Sequence, residues 1–210
     1  MFSVAERDSY VTPSMAKAGD SVLMTKGAAI GATAVLAHSF PQKVREKEGA
    51  SILRMAKSRL RDSSTVRDAK AAASVGLRKA VTSMHDATEG GVLGALFELS
   101  SACGLPVVAQ REGIHVPQEA AEVCRVFGLD PLTTLSEGTL VITCRPGAVE
   151  RVMEALEEES IKSYEIGHVG RRAQGRGLWV SSKGSKPEPH IPNPDGYWRA
   201  YSQAVRDGMK

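Results

Sequence analysis

Three cysteines in 210 residues, Cys103, Cys124 and Cys144, are an odd number with no CxxC pair among them. That excludes a disulfide framework, offers no zinc-ribbon spacing, and suits a reducing cytoplasm. Aromatic residues are only 5% of the chain, and none interleave with its basic stretch. The stacking half of a single-strand nucleic-acid surface is therefore missing. No apolar run approaches the roughly 20 residues of a membrane-spanning helix. Met1 to Tyr10 carries Glu6, Arg7 and Asp8 where a signal peptide would carry its apolar stretch, so export is not expected. The five histidines have no metal-ligand spacing, His38, His115, His168 and His190 standing alone, and no metal is expected. Neither a Ser-His-Asp arrangement nor a Walker-type loop occurs.

What is present is the balance of a globular protein, 42% hydrophobic and 24% charged residues. The net charge of +3 is unevenly spread. Residues 41–80 hold eleven Lys/Arg against four Asp/Glu, while residues 111–165 hold five against eleven. Such blocks form charged faces, most often those of solvated helices.

Hydrophobic periodicity predicts strands at 21–25, 80–84, 106–109, 139–144 and 163–169, and a hairpin over 171–182 turning near Gly175. It predicts helices at 28–37, 41–60, 64–75, 89–103, 117–127, 149–156 and 197–205, with Gly104 and Gly128 as stops. Strands that alternate with helices indicate an α/β (α+β) domain with one mixed sheet and helices mainly on one face. Residues 1–182 form that domain. Residues 183–210, with Pro187, Pro189, Pro192 and Pro194, form a proline-rich tail closed by a short helix. Trp179, Tyr197 and Trp198 are its expected anchors.

The segment richest in chemistry runs Met84-His85-Asp86-Ala87-Thr88-Glu89-Gly90-Gly91-Val92-Leu93-Gly94. A strand ends, a polar turn follows, and a helix starts on two glycines. Asp86 and Glu89 have capping-box spacing, with Thr88 an alternative N-cap. Each glycine costs about 0.5–1 kcal/mol relative to alanine inside a helix. Two readings stay open: the unpaired first-turn N–H groups hold a phosphate, or the glycines let the helix pack closely on a neighbour. Lys26, beside Gly27 at a strand-to-helix turn, is a candidate phosphate cation or a solvated turn lysine. Ser136 and Gly138 flank a turn that either touches a ligand or only turns the chain. His85 beside Asp86 is an acid–base pair or a structural histidine. The cysteines read as core thiols.

His85-Asp86-Ala87-Thr88-Glu89-Gly90-Gly91-Val92-Leu93-Gly94 resembles the Asp-Pro-Thr-Arg/Glu-Gly-Gly signature in the C-terminal domain of the aminoimidazole ribonucleotide (AIR) synthase superfamily. The likeness is nearest to hydrogenase maturation factors of the carbamoyl-dehydratase type. Ala18-Gly19-Asp20-Ser21-Val22-Leu23-Met24-Thr25-Lys26-Gly27-Ala28 is similar to the family's entry strand and turn, and Gly31 to Ala37 to the helix behind it. Leu129-Asp130-Pro131-Leu132, with Leu135-Ser136-Glu137-Gly138-Thr139-Leu140-Val141-Ile142, resembles its helix, turn and strand. Ile166-Gly167-His168-Val169 resembles its Ile-Gly-x-Val strand.

The resemblance implies a phosphate or nucleotide bound by Asp86, Thr88, Glu89, Gly90, Gly91, Lys26, Gly27, Ser136 and Gly138. It also implies ATP-dependent chemistry. In this superfamily a separate ATP-binding domain with acidic metal ligands precedes this one, and residue 1 falls near that junction. ATP and Mg2+ are thus expected only with a partner that supplies that domain; a phosphorylated small molecule or nucleotide, and a second copy of the chain as a homodimer, are the other expected partners. Ala87 stands where the family has proline. The maturation enzymes use a C-terminal cysteine, and here none follows Cys144. Carbamoyl dehydration by this chain alone is therefore not expected. A non-catalytic binding or regulatory module, or a truncated fragment of a maturation factor, is the alternative.

Overall fold

The computed structural model describes residues 4–183 and 185–209, and the backbone alone at Gln174. The strands are β1 (Ser21–Thr25), β2 (Val81–Ala87), β3 (Val107–Gln110), β4 (Thr139–Cys144), β5 (Ser163–Val169), β6 (Leu178–Ser181) and β7 (Glu188–His190). The helices are α1 (Ile30–Ser39), α2 (Pro41–Ser58), α3 (Val66–Ser74), α4 (Gly91–Cys103), α5 (Gln118–Phe127), α6 (Val149–Glu158) and α7 (Tyr197–Arg206). The strands form one seven-stranded sheet in the order β2-β4-β1-β5-β3-β6-β7. It is mixed, because β3 and β6 run parallel while the other pairs are antiparallel. The molecule is a single α/β domain of the expected class.

Side-chain alternation shows where the sheet differs from expectation. Val22 and Met24 of β1 point into a core with Val92, Leu96 and Leu99 of α4. Leu23, between them, points the other way, with Leu140 and Ile142, onto Ala71 and Ala72 of α3 and Val152 and Leu156 of α6. Helices therefore cover both faces rather than mainly one. Period-2 strands buried on both sides need apolar residues at every position, and all five residues of β1 and all six of β4 are buried. A third core lies among α1, α2, α5 and α7, around Leu36, Phe40, Leu53, Val123 and Tyr197.

Two local expectations are corrected. The 171–182 hairpin does not form, since β6 pairs with β3 and then with β7. The strand expected at 80–84 continues to Ala87, which takes Asp86 into the ladder opposite Leu140. Tyr197 is buried and holds α7 against the third core, whereas Trp198 is exposed.

Candidate functional site

Three turns meet around the start of α4. Strand β2 delivers Asp86 and Ala87, and Thr88 and Glu89 lead to Gly90 and Gly91. Both glycines are left-handed, with φ of 79° and 65°, a conformation that favours residues without a Cβ. A Cβ on Gly91 would lie 2.6 Å from the Leu132 carbonyl oxygen and 2.9 Å from the Thr134 nitrogen. Gly91 thus lies flush on the α5–β4 loop, and the Leu93 N–H donates to the Leu132 carbonyl at 3.1 Å. The Ser136 N–H donates to the Thr88 carbonyl at 3.2 Å, which locks the 134–138 turn beside the α4 turn.

No capping box forms. Gly90 occupies the N-cap position, without a side-chain cap from its own segment. The cap comes from 105 residues away: the Gly90 N–H donates to Asp195 Oδ2 at 3.0 Å. The other carboxylate oxygen accepts from Thr134 Oγ1 at 3.1 Å and from the Tyr197 N–H at 2.8 Å. One carboxylate therefore ties the starts of α4 and α7 to the loop between α5 and β4. Charge-assisted bonds of this kind are the strong class of hydrogen bond.

The β1–α1 turn joins the same neighbourhood through its backbone. The Ala29 N–H, at the N-cap of α1, donates to Ser136 Oγ at 2.8 Å, and Thr139 Oγ1 donates to the Gly27 carbonyl at 2.5 Å. Gly27 has no room for a side chain, because a Cβ would lie 2.6 Å from Pro117 Cδ. Gly138 is packed against the Asp62 carbonyl and Ile30. Gly27, Thr88, Gly90, Gly91, Ser136 and Gly138 are thus brought together.

The Lys26 ammonium is not. It donates to the carbonyls of Asp62 at 3.0 Å and Ser64 at 2.9 Å, and lies 3.1 Å from Asp68 Oδ1. That last contact is ionic, since the oxygen has no aligned hydrogen bond. Asp68 is buried and Lys26 largely so, at 2% and 11% exposure. Lys26 therefore joins β1 to α3 and leaves no cation for a phosphate.

The electrostatics of the site are acidic. Asp86 and Glu89 are exposed. Glu137 packs over Gly31 at the start of α1, and its Oε2 is buried without a partner. Burial pushes the Glu137 carboxyl up from its ordinary value, and the negative charges of Glu89, Asp195 and Asp86 push it the same way. A raised carboxyl beside other carboxylates holds a proton or accepts a cation more readily than an anion. Among the described residues, no three acidic, His or Cys groups converge to cage a metal.

His85 is not paired with Asp86. Adjacent strand residues point to opposite faces, and His85 Nε2 lies 2.7 Å from Glu98 Oε2 on α4. Burial pushes the thiols of Cys124 and Cys144 up to about 12, so both are inert core groups. Sequence reading missed Asp195. Pro194-Asp195-Gly196 before α7 carries the N-cap signature for that helix, but nothing local signals the long-range bond to Gly90.

No helix of the described residues is long and apolar enough to cross a membrane. Carbamoyl dehydratase HypE of Escherichia coli (strain K12) is 35% identical over 81 residues, 39% of this chain and 24% of that protein. The crystal structure of E. coli HypE superposes with a TM-score of 0.68 at 22% identity, covering 88% of this chain and 53% of that one. A hydrogenase maturation protein HypE in complex with ATP superposes at 0.63 with 18% identity, covering 89% and 55%. The likeness to these structures is one of fold, and the chain spans about half their length. The model of the AIR synthase related protein, C-terminal domain, matches residues 17–180. The chain belongs to that family.

Proposed function

We propose that this chain serves as the C-terminal half of an ATP-dependent machine of the HypE kind. The unit of residues 1–182 is completed by β7 and α7 of the 183–210 segment, and it acts together with an ATP-binding half. The observation that carries the reading is the meeting of the 86–91 and 134–138 turns, with Gly91 pressed onto the loop and an unpartnered Glu137 oxygen beside it. Asp86, Thr88, Glu89 and Gly90 would face the phosphate end of a nucleotide, while Gly27, Gly91, Ser136 and Gly138, buried behind them, would hold the turns in place. Because Asp86, Glu89 and Glu137 are acidic and Lys26 is committed to Asp68, they suit phosphates that arrive with Mg2+, not a bare phosphate. Bound there, Mg2+ would supply the positive charge that offsets the phosphates. Asp86 and Glu89 would orient that cation-bearing end, and Glu137 would hold a proton.

The test is calorimetric titration of the intact chain with ATP, with and without Mg2+, beside Asp86→Asn and Glu89→Gln. Both are exposed positions, so the variants leave the fold alone. Gly91→Val is a poorer probe, since its side chain would strike the Leu132–Thr134 backbone. The reading expects magnesium-dependent binding that both variants weaken, and no ATP turnover by the chain alone. Equal binding by the variants would remove the site. Magnesium-dependent turnover by the isolated chain, lost in Glu89→Gln, would make it an enzyme in its own right.

A second reading is a regulatory module that kept the pocket and lost the chemistry. It is favoured by Asp195, whose carboxylate already occupies the Gly90 N–H, and by the burial of Lys26 against Asp68. It predicts nucleotide binding without turnover, even when an ATP-binding half is added.

A further inference from the structure

The two charge blocks become two stripes in three dimensions. On α2 and the turn after it, Arg54, Lys57, Ser58 and Arg61 recur at i, i+3, i+4 and i+7 on one side. Among the described residues, neither Arg54 nor Arg61 has an ion-pair partner, and the Lys57 ammonium has none either. Exposed apolar side chains lie alongside, Met55 and the 53% exposed Leu60. Val35 of α1 extends the patch. His38, one turn further along α1, has Nε2 3.2 Å from the Lys57 carbonyl oxygen.

On α6, Glu150, Glu154, Glu157 and Glu158 recur at i, i+4, i+7 and i+8, opposite the buried Val152 and Leu156. None of these four has a cationic partner among the described residues. Beside the stripe opens a mainly apolar cleft of about 460 Å³, formed by Met153 and Tyr164 and edged by Glu154, Glu157 and Lys162. The stripes match in length: Glu150 to Glu158 spans about 12 Å at 1.5 Å per α-helical residue, and Arg54 to Arg61 about the same, since its last turn is 3-10 with a rise of about 2 Å per residue. Helix α3 follows the basic stripe directly and is tied to the end of α6 by Arg67 Nη2 and Glu159 Oε2, 2.8 Å apart. Both stripes therefore flank α3.

We propose that the occupant of the basic face is a second copy of this chain. The Arg54–Arg61 stripe lies on the partner's Glu150–Glu158 stripe, and Leu60 enters the cleft between Met153 and Tyr164. A two-fold axis near α3 satisfies both contacts reciprocally, as closed dimers require. A polyanion such as single-stranded nucleic acid suits the face less well, because Met55, Leu60 and Val35 offer no ring on which a base could stack.

Light scattering of the intact protein during size-exclusion chromatography tests this, at about 0.05 M and about 0.5 M salt, where screening lengths differ roughly threefold. Wild type should show twice the chain mass at low salt and lose it at high salt. Arg54→Glu with Arg61→Glu should be monomeric at low salt, as should Glu154→Lys with Glu157→Lys. Combining all four changes should restore the dimer, a recovery that damage to folding would not produce. A monomeric wild type at low salt, or a dimer indifferent to these variants, overturns the proposal. So does a monomer that binds polyglutamate or a single-stranded oligonucleotide through Arg54 and Arg61, which would assign the face to another occupant.

Discussion

Asp195→Ala removes three hydrogen bonds at once, from the Gly90 N–H, the Tyr197 N–H and Thr134 Oγ1. The first two are caps on α4 and α7, and losing a cap costs typically about 1 kcal/mol. The third leaves a hydroxyl on Thr134, a residue only 1% exposed, without that acceptor; a stranded buried polar group costs at least about 1 kcal/mol. The sum is about 3 kcal/mol. For a chain of this size each kcal/mol lowers Tm by roughly 2–4 °C, so calorimetry should show a loss of roughly 6–12 °C. Asp195→Asn keeps one acceptor oxygen and should lose about half as much. Asp207→Ala is the control, because its carboxylate accepts only from the exposed Gln203 amide, at 2.7 Å, and should cost no more than about 0.5 kcal/mol. A loss below about 2 °C for Asp195→Ala would show that the clamp does not hold the two helix starts, and the account of the site would have to be rebuilt without it.

Lys26→Met strands the 1% exposed Asp68 and should cost about 3–5 kcal/mol in urea denaturation. Adding Asp68→Leu should recover much of that; a phosphate-binding lysine would instead lose affinity at little cost in stability. The raised Glu137 carboxyl means that the folded state holds this proton more tightly than the unfolded chain. Its contribution is therefore favourable at low pH and is lost as pH rises through the folded value. Glu137→Gln should raise Tm at pH 7 and lose that advantage near pH 4; an equal shift at both pH values would contradict the assignment. A thiol reagent should modify Cys103 alone in the native protein and all three cysteines in denaturant, because Cys124 and Cys144 are buried. Fast native modification of a second thiol would contradict that packing.

The sequence by itself determined the order of elements from β1 to β5 and the closing helix α7, though not β7, and its strongest signals were local. Strands β1, β4 and β5 were legible to the residue, because short β-rich runs between turn signals depend on nothing distant. Gly104 and Gly128 close α4 and α5 in left-handed conformation, as a C-terminal glycine should. The two open readings of Gly90 and Gly91 could not be separated in sequence, since both need a residue without a Cβ. Only the tertiary structure shows that Gly91 packs on Leu132 and Thr134. It alone decides where Lys26 goes: a lysine beside a glycine looks the same whether it faces a ligand or a buried aspartate 42 residues on. The same holds for Asp195 and Glu137, whose roles depend on groups brought together from opposite ends of the chain. Periodicity reports which side of an element is apolar. It does not report which distant element covers that side, and for that reason the helices on the second face of the sheet, and the carboxylate that caps α4, had to be seen.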